Sequence, residues 1–413
     1  MPEPRHILHL FGRMTRGGAE TRTLEVMRHV DRERFRLHFC ALSGQPGELD
    51  DEIRSLGGEV HLLPLGLGFA SKFRRLLRER RFDAVHSHVH YPSGYFLRLA
   101  AKEGTPARVT HFRITADGQP PTLRRRAQAA LLRRWIDRYS TDILAVSRGT
   151  MEAAWRPDWQ ADPRCRVVYN GIDLSRFAAP PDREGVCREF GLPPTDTLYV
   201  HVGRLDPQKN HARLAPIFAD IVRADPNSRL LVVGKGGNDI EHAMRERLAA
   251  LGVADRVAFT GLRADVPRLL KAADAMIFPS LIEGLPGAVL EASAAGTPVL
   301  ASDIDVHRET ASLLQSVETL PLGAPDSAWA AAAVRLASAV RGDPGLRRRA
   351  AEHFASSVFS MEQCVRANEA VWDGARAGSG AAEGAAAGTA VPAHAAERAG
   401  AQQAAAAGRG VPV

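Results

Sequence analysis

Short apolar runs alternate along the chain with longer amphipathic stretches, beginning within its first dozen residues. The runs ILHLF (7–11), FDAVHS (82–87), ARVTHF (107–112) and DILAVS (142–147) have the length of buried strands, whereas TRTLEVMRHV (21–30) has helical spacing. Alternation of this kind predicts βαβ units that build a parallel sheet covered by helices on both faces.

The alternation pauses at about 174–197, where proline and polar residues accumulate, and a linker is expected there. It restarts with runs such as LYVHVG (198–203), RLLVVG (229–234) and AMIFPS (275–280). Two successive series of strands predict an α/β protein with two Rossmann-like, doubly wound domains that face a central cleft. Ligands of such sheets bind beyond the carboxyl ends of the strands, so the cleft is the expected site.

The predicted domains are an N-terminal one at 1–180 and a C-terminal one at 181–373. The last helix, at about 360–373, is expected to pack back on the N-terminal domain. The remainder, 374–413, consists largely of Ala and Gly and has almost no large apolar side chains. Such a segment cannot bury enough surface to offset the entropy of ordering, which predicts a disordered tail.

Composition narrows the class of protein. Close to half of the residues are hydrophobic and 24% are charged, which is typical of a globular chain. The net charge of +7 suits anionic partners, but no nucleic-acid-binding motif accompanies it, so nucleic acid is not an expected partner. Four scattered cysteines, no signal peptide and no apolar run long enough for a membrane span predict a cytoplasmic protein.

Two segments after predicted strands carry groups that suit an anion. Gly17 and Gly18 open a helix, where free backbone N–H groups can approach a phosphate, although a plain flexible turn explains them equally well. Arg204 and Lys209 follow the first strand of the second series, a position that suits a diphosphate. A solvated basic loop is the alternative for this pair.

The segment EGLPGAVLE (283–291) places Glu283 in a loop and Glu291 two turns into the helix that follows. The helix is otherwise small and apolar, so a carboxylate there needs a partner. Carboxylates accept several hydrogen bonds, as the hydroxyls of a sugar or a ribose require.

These motifs together resemble family 4 of the retaining glycosyltransferases with the GT-B fold, in particular the branch that builds exopolysaccharides and glycosylates small molecules. The resemblance runs in order over residues 5–373. It rests on GGAE (17–20), DAVHSHVHYPSGYFLRLAAKEGTPARVTHFR (83–113), AVSRGT (145–150), VVYNGIDLSRF (167–177), HVGRLDPQKN (201–210), VVGKGGND (232–239) and EGLPGAVLE (283–291).

The resemblance implies roles for individual residues on the donor side. Arg204 and Lys209 would bind the donor's diphosphate and stabilise the leaving group, and Glu291 would hold the ribose hydroxyls. Glu283 would contact the hydroxyls of the transferred sugar. The backbone amides that assist are implied to be those of Leu285 and Gly287 for the sugar and of Gly17 and Gly18 for the phosphates.

His111 falls where the family carries a histidine near the anomeric carbon, which implies a catalytic role. Related sequences often carry a second polar residue or histidine next, but here Phe112 and Arg113 follow. Arg113 is therefore expected on the acceptor side, and His88 is expected there too.

The implied enzyme is a hexosyltransferase that uses a nucleotide-diphosphate sugar, with UDP-N-acetylglucosamine or UDP-glucose as first choices. It would transfer the sugar with retention, without metal or cofactor, to a hydroxyl of a small polar acceptor in antibiotic or exopolysaccharide biosynthesis. Alternatives are a peripheral-membrane glycosyltransferase with a lipid-linked acceptor, a sugar-nucleotide epimerase and a non-catalytic binding protein.

Three other patterns have competing interpretations. Asp303 and Asp305 form an Asp-x-Asp motif that could hold a divalent cation, but a helix N-cap is the preferred interpretation. His86, His88 and His90 would share a face of a strand and could chelate a metal or line the cleft. The Arg-rich stretches KFRRLLRERR (72–81) and LRRRAQAALLRRW (123–135) could bind an anionic membrane, or be ordinary solvated helices.

Overall fold

The computed structural model describes residues 3–115, 122–237 and 239–377. They form two parallel sheets, which confirms the two Rossmann-like domains predicted from the two series of apolar runs. We call the seven-stranded sheet with its helices the N-lobe and the six-stranded sheet with its helices the C-lobe. The disordered tail is predicted to begin at residue 374. The part of it beyond Ala377 lies outside the described residues.

The N-lobe sheet has the strand order β3-β2-β1-β4-β5-β6-β7 with every pair parallel. Its strands are β1 (Arg5–Phe11), β2 (Phe35–Ala41), β3 (Glu59–Leu62), β4 (Ala84–Ser87), β5 (Ala107–Phe112), β6 (Asp142–Ala145) and β7 (Cys165–Val167). Its helices are α1 (Gly18–His29), α2 (Asp50–Ser55), α3 (Phe69–Arg80), α4 (Ser93–Lys102), α5 (Leu123–Tyr139) and α6 (Arg148–Ala154).

The C-lobe repeats the doubly wound order as β10-β9-β8-β11-β12-β13. Its strands are β8 (Thr197–Val202), β9 (Ser228–Val233), β10 (Val257–Gly261), β11 (Ala275–Phe278), β12 (Val299–Ser302) and β13 (Val317–Leu320). Its helices are α7 (Arg183–Glu189), α8 (His211–Ala224), α9 (Asp239–Ala250), α10 (Val266–Ala272), α11 (Gly287–Ala294), α12 (Asp305–Leu313), α13 (Asp326–Gly342) and α14 (Gly345–Ala355).

The C-lobe sheet is covered on both faces, and for this reason β11 and β12 are apolar and fully buried. Met276 and Phe278 pack into one core, whereas Ile277 packs into the other beside Phe218 and Trp329. This alternation follows from the two-residue period of a strand.

A final helix, α15 (Met361–Ala377), returns to the N-lobe. Val371 and Trp372 join the core that contains Leu24 and Phe35, and Arg5 donates a hydrogen bond to the Trp372 carbonyl at 2.7 Å. The helix thereby covers the same sheet face as α1. The domain boundary predicted between residues 180 and 181 lies in the connection from β7 to α7 and stays a prediction.

The carboxyl ends of the strands in both sheets carry the residues that the motifs singled out. The turn to Gly18 follows β1, Arg113 follows β5, and Lys209 follows β8. Glu283 follows β11, and α11 then carries Glu291. Both sheets therefore present their loop residues at the edge where doubly wound folds bind ligands.

Candidate functional site

Lys209 and Glu283 form the centre of the C-lobe part of the site. Lys209 ends a 3-10 turn (Pro207–Lys209) that begins at Asp206, whose side chain accepts from the Lys209 backbone N–H. Its Nζ donates to Glu283 Oε1 at 2.5 Å, and Ser280 Oγ donates to the same oxygen at 2.6 Å. Both charged side chains are largely buried, so each charge has the partner that burial demands.

Arg204 does not join this pair. Its guanidinium contacts Asp206 at 3.1 Å and the side chain is 75% exposed. The shared role predicted for Arg204 and Lys209 on one diphosphate stays a prediction, and it would require Arg204 to turn from Asp206 towards the cleft.

Glu291 lies on α11 and finds its partner in the other lobe. Arg22 on α1 donates to Glu291 Oε1 at 2.9 Å and to Glu25 at 2.6 Å, while Arg176 lies 3.6 Å from the same Glu291 oxygen. Burial opposes the charge of Arg22, but the two carboxylates outweigh it and raise the pKa of the guanidinium. The sequence indicated that Glu291 needs a partner, but it did not indicate Arg22 or Arg176.

A cavity of about 420 Å³ lies between the lobes, beside this ion pair. The N-terminal residues of two helices line it, Gly18 of α1 and Gly287 of α11, so the positive ends of two helix dipoles are close to it. The structure therefore brings the predicted residues Gly18, Leu285, Gly287 and Arg113 to one cavity. Gly17 is the N-cap of α1 and is not among the residues that line it.

The lobes touch closely at Gly284, between the two predicted glutamates. A Cβ at this position would lie 2.8 Å from the Arg113 carbonyl oxygen, so any larger residue would push the lobes apart. Ser147 Oγ of the N-lobe donates to the Gly284 carbonyl at 3.1 Å. Glu309 of the C-lobe accepts from the Arg148 backbone N–H at 2.9 Å. The sequence did not single out these contacts.

The Asp-x-Asp motif lines a second cavity of about 420 Å³, which Glu283 also reaches. Asp303 contacts Arg308 at 3.0 Å, and Asp305 also pairs with Arg308. The expected N-cap role is wrong, because Ile304 is the N-cap of α12 and Asp305 is the first helical residue. The cation alternative must compete with an arginine that already neutralises both carboxylates.

Four histidines form a buried cluster on the N-lobe sheet, since the register aligns His9 of β1 with His86 of β4. His88 and His111 complete it, and burial lowers the pKa of each, for His9 to about 3. His90 does not share their face as predicted, because β4 ends at Ser87 and His90 adopts a positive φ of 56°.

Arg113 lies beside this cluster and is partly buried. It donates to His88 Nδ1 at 3.1 Å and to Asn170 Oδ1 at 2.8 Å, both neutral groups. Burial lowers the pKa of its guanidinium to about 10. The two residues predicted for the acceptor side, His88 and Arg113, are thus in direct contact, and His111 lies in the same cluster.

Among the described residues, the helices are all too short or too polar to span a membrane.

Two protein-family models match the sequence. The family Glycosyltransferase Family 4 matches residues 16–176, and the family Glycosyl transferases group 1 matches residues 196–339.

Two of the matching relatives are similar over most of their length. The capsular polysaccharide biosynthesis glycosyltransferase CapH of Staphylococcus aureus is 30% identical over 311 residues, 73% of this chain and 82% of CapH. The putative glycosyltransferase EpsF of Bacillus subtilis is 30% identical over 348 residues, 82% of this chain and 89% of EpsF. Among solved structures, HepE of Anabaena in complex with UDP superposes with a TM-score of 0.73 at 17% identity, over 90% of this chain and 100% of HepE, a likeness of fold.

Proposed function

The chain belongs to glycosyltransferase family 4 and has the GT-B fold, and from that premise we propose that this glycosyltransferase uses a nucleotide-diphosphate sugar as donor. It moves a hexosyl or N-acetylhexosaminyl group to an acceptor hydroxyl. The observation that carries the proposal is the Lys209–Glu283 pair at 2.5 Å. Glu283 directly precedes Gly284 in the chain, and Gly284 lines a cavity that two helix N-termini also line.

The pair suits both ends of such a donor. Lys209 would turn from Glu283 to the diphosphate, and Glu283, released from the lysine, would accept hydrogen bonds from hydroxyls of the transferred sugar. Glu291 would keep Arg22 on Oε1 and offer Oε2 to a ribose hydroxyl. The amides at Gly18 and Gly287, at the starts of α1 and α11, would face the phosphates.

In the proposed reaction the bond from the anomeric carbon to the phosphate oxygen breaks while the acceptor oxygen bonds to the same carbon. The acceptor attacks from the face that the diphosphate leaves, which retains configuration, and the departing diphosphate takes up the acceptor's proton. Lys209, Arg204 and the helix N-termini neutralise the developing charge, a role in which one group contributes roughly 3–4 kcal/mol.

We propose that the reaction needs no metal, because the Asp303–Arg308 and Asp305–Arg308 pairs engage the two carboxylates that a cation would require. UDP is the nucleotide bound in the HepE structure, and a UDP-sugar is therefore the donor that we propose first. CapH is named for capsular polysaccharide biosynthesis, and for this chain we propose a role in assembly of a polysaccharide or related glycoconjugate.

The acceptor that we propose is a small polar glycan. A lipid-linked acceptor is the second candidate, and one observation favours it. Helix α5 has a single buried residue, Ile136, and exposes Leu123 and Leu131 beside clusters of arginine. An exposed helix with both apolar and cationic side chains suits an anionic membrane surface.

The direct test follows release of nucleoside diphosphate from a panel of UDP- and GDP-sugars, with water, a soluble glycan or a lipid-linked glycan in anionic vesicles as acceptor. We expect release from a UDP-sugar that EDTA does not reduce and that the Glu291→Ala variant lacks. Release from no sugar nucleotide would contradict the proposed function. Loss in EDTA with recovery in manganese would contradict the metal-free mechanism, and the acceptor arms separate the two acceptor classes.

A further inference from the structure

The hydrogen bonds of the buried histidine cluster determine which ring nitrogen carries each proton. Burial lowers the pKa of His9 to about 3 and those of His86, His88 and His111 well below the usual value. Each ring is therefore neutral at pH 7, and a neutral imidazole has one N–H donor and one acceptor nitrogen. Any neighbour that can only donate then decides the tautomer.

Trp372 determines the tautomers in the first series of hydrogen bonds, which runs through His86 to His111. An indole N–H is a donor only, and Trp372 Nε1 lies 3.2 Å from His86 Nδ1, which must therefore accept. The His86 proton is then on Nε2, which lies 3.1 Å from His111 Nδ1. Because His111 Nδ1 accepts, its own proton is on Nε2.

Arg113 determines the tautomers in the second series of hydrogen bonds, which runs through His88 to His9. A guanidinium has no acceptor, and Arg113 Nε donates to His88 Nδ1 at 3.1 Å. His88 must then carry its proton on Nε2, which lies 3.0 Å from His9 Nδ1. The proton of His9 is consequently also on Nε2.

Both series of hydrogen bonds end in an N–H group that has no partner among the described residues, at Nε2 of His9 and of His111. The two rings line one small cavity of about 10 Å³, enough for about one oxygen atom with its hydrogens. Arg22, Arg113 and Asn170 line this cavity and the larger cavity between the lobes, so the two are neighbours. A buried donor without an acceptor destabilises the protein, and an oxygen in the cavity would remove that cost.

We propose that Trp372 and Arg113 are positioning residues, which act through His86 and His88 to hold His111 and His9 as hydrogen-bond donors towards one oxygen atom in this cavity. The oxygen is a water molecule in the free enzyme or a hydroxyl of the substrate. The tautomers stand without the proposed function, whereas their effect on sugar transfer rests on it.

Two consequences separate this arrangement from other uses of histidine. Neither His111 nor His9 can accept a proton as a base, because the lone pair of each is already engaged at Nδ1. His9, His86 and His88 lie close enough together to suggest a metal site. All three lone pairs are engaged by donors, however, so the cluster does not fit a metal in this arrangement.

The experiment replaces Trp372 with phenylalanine, which keeps an aromatic ring in the core and removes the donor. Trp329→Phe is the matched control, because Trp329 is equally buried and its Nε1 donates to the Pro321 carbonyl at 3.1 Å in the other lobe. Nitrogen-15 NMR of histidine-labelled protein reads the tautomers, with the signals assigned through single histidine variants, and sugar transfer is measured on the same samples.

We expect wild type and Trp329→Phe to show all four histidines of the cluster, His9, His86, His88 and His111, with the proton on Nε2. In Trp372→Phe, His86 and His111 should become tautomer mixtures while His88 and His9 stay unchanged, and kcat should fall about 10-fold or more with a smaller change in KM. An unchanged single tautomer of His111 would overturn the proposal. A tautomer mixture with unchanged kcat would overturn the positioning role in transfer, and the absence of transfer in wild type would overturn the proposed function alone.

A second pair of variants guards against misfolding of Trp372→Phe. In His86→Gln the amide offers one acceptor and one donor, so it can relay the bond from Trp372 to His111, whereas His86→Leu cannot. Activity and the Nε2 proton of His111 should survive in His86→Gln and be lost in His86→Leu. Equal behaviour of the two variants would contradict the relay.

Discussion

The two lobes share a strand order but carry different chemistry at the carboxyl ends of their strands. In the N-lobe a cluster of buried neutral histidines is joined by hydrogen bonds, beside Arg113, which donates to the uncharged side chains of His88, Asn170 and Thr23. In the C-lobe a pair of opposite charges, Lys209 and Glu283, lies against the ring of Phe278, which also contacts the buried His201 and His307.

The difference fits the parts that the proposed function gives to the two lobes. A buried charge is costly without a partner, so the C-lobe stores its cation against a carboxylate that a diphosphate can replace. Neutral imidazoles cost less to bury and, once their tautomers are set, offer N–H groups in constant directions. The C-lobe is thus suited to a charged leaving group and the N-lobe to uncharged oxygen atoms.

The largest expected effect is on the C-lobe charge pair. Lys209→Ala should lower sugar transfer by roughly 100- to 1,000-fold, because it removes a group that neutralises the leaving diphosphate. Lys72→Ala, an exposed lysine on α3, is the control and should leave the rate unchanged. Initial rates with a saturating donor decide between them.

Lys209→Ala also leaves Glu283 buried without its ion pair, so a loss of activity could come from lower stability instead of slower catalysis. The double variant Lys209→Ala/Glu283→Gln removes both charges, so its unfolding midpoint in urea should return towards wild type while transfer stays lost. Recovery of activity in the double variant would contradict a role for Lys209 in neutralising the diphosphate.

A smaller effect is expected where the lobes meet. Arg22→Gln should destabilise the protein by roughly 1–3 kcal/mol, because Glu25 and Glu291 lose their shared cation in a partly buried setting. Arg28→Gln on the same helix, which breaks a more exposed pair with Glu52, should change stability by less than about 1 kcal/mol. Urea unfolding at constant salt measures both, and equal losses would show that the pair between the lobes adds nothing special.

The smallest effect per residue is the loss of stability at low pH. The pKa of His9 in the folded protein is about 3, below its unfolded value of 6.5, so only the unfolded chain gains a proton as the pH falls. Stability should therefore be full above pH 6.5 and be lost towards pH 3, by about 1.4 kcal/mol per such histidine between pH 7.5 and 5.5.

The N-lobe cluster contains four such histidines, whereas His201, His211 and His307 make three in the C-lobe, so the exchange of the β1, β4 and β5 amides with solvent should rise more at pH 5.5 than that of the C-lobe strands. His9→Gln should reduce the pH dependence of unfolding by about one histidine's share, whereas the exposed His242→Gln should not. Equal acceleration of exchange in both lobes would contradict this difference between them.

Much of the fold could be predicted because parallel strands covered on both faces need long apolar runs, and those runs are visible in the sequence. The approach of Lys209 to Glu283 could also be expected, since both follow neighbouring strands, β8 and β11. The position of the Arg204 side chain could not be predicted. For a long exposed side chain, only a small energy difference separates a contact with Asp206 from a position in the cleft.

Two doubly wound sheets, the strand ends that carry the functional side chains and a family of sugar-transferring enzymes could all be recognised from the sequence. The folded structure was needed to show that Arg22 pairs with Glu291 across the cleft, that His90 lies off the face of the histidine cluster and that Trp372 donates to His86. The physical reason is range: periodicity and strand order are local properties of the chain, whereas these contacts join residues up to 286 positions apart. Their partners are selected by packing, which no local pattern encodes.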